Sequence, residues 1–363
     1  LGVLTGWEMR PDATLSPFAV ERPWNLDVRI EHGRNRLRLT GSPSSYGRGL
    51  NIHQARLSCA MEAAERYSAF ASVSSEEIED YTHSYILTKG RYTELLNQGP
   101  SVLDPDEMCL EVPYKDQEIH WITAQRIDQA GCHRVFIPAQ FVFLFANLDE
   151  PSLTSGIPST GFAAAQTLEE AKLSALLEGT ERDAEKVIPY AKNRCFLLEC
   201  DDQKISDTLE GMRRRGIQIQ FLDTTSEFGI PCYKAFVQGP GGAVLKGSAA
   251  HLDGKTAVVA AMTEIPYPYP YWFGSMPPSG QMESIPYEGL PNYSSGDPAT
   301  DLERLETLLL KNGYRPLYVD LTRQDLGIPV VKALVPGLEM MTVFDRFTPL
   351  GLRKFAHYLE IAG

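Results

Sequence analysis

The chain has 363 residues and a formal net charge of −13, with 43% hydrophobic and 22% charged residues. These fractions are typical of a globular protein with a large core, and the acidic balance argues against nucleic acid as a main partner. The sequence has no apolar run of the roughly 18 residues that a membrane span needs, no signal peptide and no paired or zinc-spaced cysteines, so we expect a cytoplasmic protein with no membrane partner.

The first forty residues, 1–40, are expected to form an N-terminal extension that carries two strands. Apolar and polar residues alternate over 26–32 and 36–40, which is the pattern of a half-buried strand. The Gly-rich segment 41–49 is then predicted to be a loop before a helix over 53–70. Backbone N–H groups in such a loop could hold a phosphate at the helix N-terminus, although Gly-rich loops are more often simple turns.

The helix over 53–70 contains a short pattern that recurs in a second predicted helix, over 167–186. Both copies read S-x-x-x-E-x-x-E-R. Residues three and four apart share one face of a helix, so each copy places its acids along one stripe. The matched residues are Ser58, Glu62, Glu65 and Arg66 in the first copy and Ser174, Glu178, Glu181 and Arg182 in the second.

Two such helices facing each other would bring four carboxylates together. Two carboxylates about 4 Å apart repel by roughly 4 kcal/mol at the effective dielectric of a partly buried site, so four of them need cations nearby. Oxygen ligands favour Mg²⁺ or Ca²⁺ over zinc, and Mg²⁺ is commonly shared with nucleotide phosphates. We therefore predict a metal site formed by Glu62, Glu65, Glu178 and Glu181. Two solvated, Glu-rich helices are the alternative, which explains either copy alone but not the shared register.

The rest of the chain alternates between predicted strands and helices, which indicates an α/β protein. The second repeat helix begins after Thr167, a good N-cap, with Glu170 three residues on as a capping box. A third predicted helix carries a degenerate copy of the repeat, in which Glu264 is in register with Glu62 and Glu178. The other predicted elements are helices over 91–98, 203–214, 255–264, 299–312 and 347–360, strands over 119–127, 134–144, 217–223, 231–237, 243–248, 315–321 and 328–335, and a turn at 239–242.

Three helix-bearing units, each flanked by strands, predict a layered α/β fold of repeated strand–helix units, with the site where the helices converge. The segment 265–298 is rich in Pro, Gly, Ser and Tyr and too broken for an element of its own, so we predict a long loop. A lid, a substrate-facing segment and a plain surface insertion are all compatible with its composition.

Longer motifs around the three helices resemble a known family. The segment 159–184, which contains the second repeat, resembles the second signature of YcaO-domain proteins. The first repeat, preceded by Gly47-Arg-Gly49, is similar to their first signature, and 247–264 is similar to their third. This resemblance covers about residues 40 to 340 and implies a YcaO-like fold with a nucleotide between the converging helices. The expected division is an extension at 1–40, a YcaO-like ATP-binding domain at 41–340 with the loop insertion at 265–298, and a C-terminal helix in 341–363.

The resemblance implies ATP-dependent chemistry on peptide backbones. YcaO enzymes bind ATP and Mg²⁺ between the glutamate helices and phosphorylate an amide oxygen, which opens the amide carbon to a nucleophile on the way to an azoline, a thioamide or an amidine. The resemblance also implies a peptide or protein substrate and a homodimer, and it leaves open a separate partner that binds a leader peptide or delivers sulfur. By the same resemblance the four repeat glutamates bind metal, and the nucleotide-binding residues are Arg48, Ser58, Gln166, Glu170, Arg182 and Glu264.

The chain departs from the family pattern in the expected nucleotide site. Arg48 stands where Lys is usual, Gln166 stands for Asn, and Ala165 stands for Gly. Glu264 is followed by Ile265 and a Pro/Tyr-rich run, where the family commonly has Gln and then Arg. The sequence ends without the Pro-rich tail of azoline-forming members, which disfavours azoline formation relative to the other products.

Two functions of different classes are therefore open. The first is an enzyme that activates a backbone amide with ATP and Mg²⁺, for thioamidation or for amidine or heterocycle formation. The second is a non-catalytic YcaO-like accessory protein that supports another modifying enzyme, such as a ribosomal-protein methylthiotransferase. The altered residues favour the accessory role, whereas retention of all four helix acids favours the enzyme, which we prefer.

Overall fold

The computed structural model describes residues 8–9, 16–108, 110, 113–154, 159–214, 216–238, 244–265, 282–340 and 351–362. Within these ranges the fold is a mixed α/β arrangement of several sheets and helices, which confirms the predicted fold class. None of the helices in the described ranges has the length and apolar character needed to cross a bilayer. The helices are α1 (Ile52–Ser68), α2 (Tyr92–Asn97), α3 (Leu168–Val187), α4 (Gln203–Arg214), α5 (Gly254–Thr263), α6 (Pro298–Lys311) and α7 (Leu352–Ala362).

The strands of the described residues form four sheets. In spatial order, the first sheet is β1 (Glu8–Met9), β2 (Phe18–Pro23) and β5 (Ser44–Gly49). The second is β11 (Gly131–Pro138), β10 (Ile119–Asp128), β18 (Leu317–Asp320), β19 (Val330–Leu334) and β12 (Phe162–Ala164), with β9 (Thr88–Gly90) also on β10. The third is β16 (Val244–Ala250), β15 (Cys232–Gln238), β14 (Gln220–Asp223), β13 (Cys195–Glu199) and β17 (Glu283–Pro286). The fourth is β4 (Asn35–Gly41), β3 (Leu26–His32), β6 (Val73–Ser74), β7 (Glu77–Ile78) and β8 (Tyr85–Ile86).

The three repeat helices each follow a strand, with β5 leading into α1, β12 into α3 and β16 into α5. Of these three strands, only β16 was predicted. The units interlock, because α1 also contacts β12, α3 contacts β16 and α5 contacts β5. Each repeat helix therefore packs on its own unit and on another one. This cyclic packing draws the three units around a common centre.

Two large apolar cores and a small one between α1 and β2 hold this arrangement together. The larger core packs α3 against the second sheet and includes Leu176 and Val331, both fully buried. The second large core packs α5 against the third sheet and includes Ala261 and Phe221, also fully buried. Since α3 turns its apolar side into the larger core, Ser174 on another face of the helix is left exposed.

Both acid-bearing helices begin at side-chain caps. The Asn51 side chain accepts a hydrogen bond from Gln54 N at the start of α1, and Thr167 accepts one from Glu170 N at the start of α3. The predicted N-cap of α3 is thus confirmed. Its capping box is only half formed, because the Glu170 carboxylate accepts from Gln166 N, at 3.2 Å, rather than from the cap residue's own N–H.

The loop predicted over 41–49 is wrong, because Ser44–Gly49 form β5. This strand pairs with β2 along its whole length, and that partner is a distant segment which the local composition did not reveal. A Cβ on Gly47 would lie 2.0 Å from the Ala55 carbonyl oxygen of α1. Gly47 therefore serves close strand–helix packing, not a turn that cradles phosphate.

The loop predicted over 265–298 is wrong at residues 283–286. Glu283–Pro286 form β17, which pairs in parallel with β13 and so takes its order from the neighbouring strand. The strand predicted over 134–144 stops at Pro138, where a 3₁₀ turn follows. Residues 266–281, the turn predicted at 239–242 and the first part of the helix predicted over 347–360 lie outside the described residues.

Candidate functional site

A cleft of about 540 Å³ lies where the three strand–helix units meet. Five of the predicted site residues line it: Arg48, Ser58, Glu62, Glu65 and Glu264. The cleft therefore gathers β5, α1 and the end of α5. Glu178, Glu181 and Arg182 of α3 are not among the described residues that line it. The other lining residues are Tyr46, Met61, Phe162, Ala163, Ala164 and Ser174, and these add β12 and α3.

The two acids of α1 are held by a backbone N–H and by an arginine. Tyr46 N donates to Glu62 Oε2 at 2.6 Å, and Arg66 Nε lies 3.8 Å from a carboxylate oxygen of both Glu62 and Glu65. Burial raises the pKa of both acids, and it raises the pKa of Glu65 well above its ordinary value, with the charge of Glu178 as the next cause. An acid of α3 thus acts directly on an acid of α1, as the repeat predicts.

The two acids of α3 have a parallel arrangement. Gly161 N donates to Glu178 Oε2 at 3.0 Å, and Arg182 lies 3.6 Å from Glu178 and 3.1 Å from Glu181. Burial raises the pKa of Glu178, and it raises the pKa of Glu181 to about 8 despite the nearby guanidinium. In each helix, therefore, the first acid of the repeat takes a backbone N–H and the arginine lies beside both acids.

Glu181 is buried, and Glu62, Glu65 and Glu178 are half-buried. The raised pKa values mean that the cations of the protein do not offset the cost of partly desolvating these four carboxylates. A divalent cation with oxygen ligands would offset it, and carboxylates are the donor set that Mg²⁺ takes in proteins. Glu62, Glu65, Glu178 and Glu181 thus fit a magnesium site and are the residues that could hold the ion.

Of the six predicted nucleotide residues, Arg182 lies beside the acids of α3, and the other five fall into two groups. Arg48 and Glu264 bond to each other, with Arg48 Nη1 at 3.0 Å from the Glu264 carbonyl oxygen and 3.2 Å from its Oε2, and Ser58 is exposed beside them in the cleft. Gln166 and Glu170 bond to each other at the start of α3, outside the set of described residues that line the cleft. The prediction for the second group therefore has less geometric support than that for the first.

Sequence reasoning missed Lys332, a fully buried lysine in β19. Its Nζ donates to Thr160 O at 2.6 Å and lies 4.1 Å from the centre of the Phe162 ring. Burial lowers the pKa of Lys332 to about 7, against the opposing charges of Glu178 and Glu65. A single charged residue within the apolar run Val330-Val-Lys-Ala-Leu334 was the available signal.

Glu185, one turn beyond the repeat on α3, was also missed. Its carboxylate accepts from Ser248 Oγ at 2.7 Å and lies 3.0 Å from Lys234, 3.1 Å from Lys246 and 3.2 Å from Arg182. Burial alone would raise its pKa, but Lys234 and the Ser248 hydroxyl hold the pKa at about 2. Glu185 is therefore a neutralised link from α3 to the third sheet, unlike the four acids of the repeats.

A second group of potential metal ligands, His32, Glu76 and His120, lies elsewhere in the described part of the chain. The hydrogen bond that His32 accepts opposes a metal. Asp149 N donates to His32 Nδ1, which places the proton of the neutral ring on Nε2, the nitrogen that a metal would need. His120 Nδ1 bonds instead to the buried Glu150 carboxylate at 2.7 Å. These rings therefore form a structural pair with different tautomers.

Comparison with known proteins identifies the family. A family model described as "YcaO cyclodehydratase, ATP- and Mg²⁺-binding" matches residues 46–266 and 270–339. An uncharacterized protein of Methanothermobacter thermautotrophicus is 27% identical over 343 residues, a match that covers 84% of each chain.

Solved structures share the fold at low sequence identity. A YcaO protein of Methanopyrus kandleri bound with AMPPCP and Mg²⁺ is 20% identical with a TM-score of 0.63, over 96% of this chain and 91% of that one. A heterocyclase in complex with substrate and cofactor is 21% identical with a TM-score of 0.71, over 97% of this chain and 53% of that one. The heterocyclase TruD is 21% identical with a TM-score of 0.60, over 82% of this chain and 47% of that one. The chain thus spans about half the length of these heterocyclases, and the likeness is one of fold.

Proposed function

Because the chain belongs to the YcaO family, we propose that it uses ATP and Mg²⁺ to activate a backbone amide of a peptide or protein for attack by a nucleophile. One observation carries this proposal: the acids of the two repeated helices lie close enough for the charge of Glu178 to act on Glu65, and burial raises the pKa of all four. Such a site is costly for a protein that binds no cation.

In this proposal Glu62, Glu65, Glu178 and Glu181 hold Mg²⁺, which when bound offsets phosphate charge. The N–H groups of Tyr46 and Gly161 orient one carboxylate of each helix, and Arg48 offers a guanidinium at the cleft that can turn from Glu264 to a phosphate. Positioning and charge neutralisation are the main contributions that a protein makes to phosphoryl transfer.

The reaction has two steps. The amide oxygen attacks the terminal phosphorus of ATP and ADP leaves, which turns a poor leaving oxygen into phosphate. A nucleophile then adds to the former carbonyl carbon and phosphate departs with that oxygen. Sulfide would give a thioamide, an amine would give an amidine, and an internal thiol or hydroxyl would give a heterocycle. A leader-binding or sulfur-delivering partner and a homodimer belong to the same proposal.

A non-catalytic accessory role is the second candidate. One observation favours it: Glu264 is followed by Ile265 and Pro266 instead of the Gln and Arg that are common in the family. Such a protein would use the same frame to support another modifying enzyme, such as a ribosomal-protein methylthiotransferase.

Calorimetric titration of ATP with Mg²⁺ separates the two candidates. We expect micromolar binding by the wild type and loss of binding in Glu62→Gln and Glu178→Gln, one acid from each helix. The control is Glu169→Gln, which removes an exposed carboxylate from the first turn of α3 and should bind as the wild type does. A folded wild type that gives no binding heat would contradict the enzyme and favour the accessory role.

A further inference from the structure

We propose that Lys332 is a positioning residue for Glu178 and acts through the peptide group that joins Thr160 to Gly161. The inference rests on the proposed function in one respect, namely that Glu178 is one of the metal-binding acids. It adds a residue that lies in β19, outside the repeated helices, and is not among the described residues that line the cleft.

The contact runs through a single peptide group. Lys332 Nζ donates to Thr160 O at 2.6 Å, and Gly161 N donates to Glu178 Oε2 at 3.0 Å. The carbonyl and the N–H belong to the same planar amide. A cation at the oxygen of an amide draws electron density from its nitrogen, which makes the N–H a stronger donor. The charge of Lys332 is thus delivered to the Glu178 carboxylate as a directed hydrogen bond.

The peptide group is fixed by the strand that carries the lysine. Ala333 N donates to Gly161 O at 2.7 Å, and Lys332 pairs with Phe162 in the β12–β19 ladder. Gly161 has a φ of +81°, and a Cβ there would lie 2.4 Å from Ala333 O. Only glycine therefore fits the position that aims this N–H at α3.

The burial of Lys332 distinguishes this role from ordinary packing. Its side chain is 0% exposed, and a buried ammonium group is retained only where other groups balance its charge. Glu178 and Glu65 are the negative charges that act on it, and the face of the Phe162 ring lies 4.1 Å away. If its task were only to bond the Thr160 carbonyl, a neutral donor would serve as well.

Nuclear magnetic resonance of the full chain tests the relay without any nucleotide, in a divalent-free buffer at about pH 6, below the pKa of Lys332. Carbonyl-¹³C threonine combined with ¹⁵N glycine reports only Thr–Gly peptides, which occur at 5–6, 40–41 and 160–161. Thr160→Ser assigns the third signal by removing it. We expect the Gly161 amide proton to move upfield in Lys332→Met and also in Glu178→Gln, with little further change in the double variant. The Gly41 signal is the internal reference and should not move.

Lys332→Gln keeps a donor for the Thr160 carbonyl but removes the charge, and it replaces the Met variant if that one fails to fold. The same upfield shift is expected. A Gly161 signal at the wild-type position in a folded neutral variant would overturn the proposal.

Divalent binding gives a second readout, measured with Mn²⁺ by the loss of its free-ion spectrum in electron paramagnetic resonance. We expect Lys332→Met to weaken Mn²⁺ binding by about 10- to 100-fold, as is usual for residues that orient a metal ligand. Lys332→Met should have no further effect in the Glu178→Gln background. The matched control, Lys246→Met, removes a lysine that bonds to Glu185 rather than to Glu178 and should leave binding unchanged.

Equal weakening with and without Glu178 would contradict the relay. Absence of Mn²⁺ and nucleotide binding in the wild type would instead contradict the proposed function, and the amide signal would still decide the relay by itself.

Discussion

Replacing Glu181 with glutamine is expected to stabilise the divalent-free protein at neutral and alkaline pH. The Glu181 side chain is 11% exposed, and burial raises its pKa from an ordinary value of 4.5 to about 8. Below pH about 4.5 the carboxyl is protonated in the folded and the unfolded chain, so the wild type and the variant should match. Between pH 4.5 and 8 the unfolded chain has released this proton and the folded protein has not, so wild-type stability falls as the pH rises.

The size of this effect follows from the pKa shift. Each pKa unit corresponds to about 1.4 kcal/mol, so the full shift of Glu181 amounts to roughly 5 kcal/mol at pH 8. Two effects reduce this figure. Glutamine loses the ion pair with Arg182, at 3.1 Å, and the pKa of Glu181 is coupled to the charges of the neighbouring acids. We therefore expect the free energy of unfolding to rise by about 2 kcal/mol. Since the unfolding entropy is roughly 2.1 cal/mol/K per residue, this gain raises the Tm of a chain of 363 residues by about 3 °C.

The assay is urea and thermal unfolding in a chelator at intervals from pH 4.5 to 8.5, followed by the same series with Mg²⁺ and ATP. The gap between Glu181→Gln and wild type should open as the pH rises in the chelator. With Mg²⁺ and ATP the wild type should gain stability and the variant should not. A gap of the same size at every pH, or a variant no more stable than wild type at pH 8, would refute the reasoning.

Glu185→Gln is the matched comparison on the same helix, and its effect has the opposite sign. The pKa of Glu185 is lowered to about 2, so its stabilisation is present above pH about 4.5 and is lost as the pH falls towards 2. Its side chain is 9% exposed. We expect the free energy of unfolding of the variant to lie about 3 kcal/mol below that of the wild type at pH 8, and much closer to it at pH 3.

Two further predictions concern the packing that surrounds the site. Gly47→Ala should lower the free energy of unfolding by about 3 kcal/mol and the Tm in a thermal melt by about 4 °C, because the new Cβ would lie 2.0 Å from a carbonyl oxygen of α1. The control Gly41→Ala, whose Cβ meets no described atom within 4 Å, should be neutral, and equal losses would contradict this account. Arg353 bonds the fully buried Asp183 at 2.7 and 2.9 Å. Arg353→Ala leaves this buried carboxylate without its cation, so it should lower the free energy of unfolding by about 3–5 kcal/mol and speed hydrogen exchange throughout α7. Glu360→Ala, at an exposed position of α7, should leave exchange unchanged, and unchanged exchange in Arg353→Ala would mean that other contacts hold the helix.

The repeat helices and their caps were within reach of sequence reasoning because they depend on neighbours in the chain. Helix formation, capping by Thr167 and the alignment of Glu62 with Glu65 on one stripe involve residues only a few positions apart. The recurrence of the same stripe then predicts that two helices share a site. The pKa of Glu65, which the charge of Glu178 helps to raise, agrees with that prediction.

The amino-acid sequence by itself thus determined the α/β class, the three repeat helices and the acids that they carry. Only the tertiary structure decided that residues 44–49 form a strand, that residues 283–286 pair with β13, and that Lys332 reaches the Thr160 carbonyl. Only the tertiary structure also separates Glu181, with its pKa raised to about 8, from Glu185 one turn away, with its pKa lowered to about 2. The physical reason is the same in each case: strand pairing, burial and the balance of charge depend on partners that lie far away in the chain and meet only when it is folded.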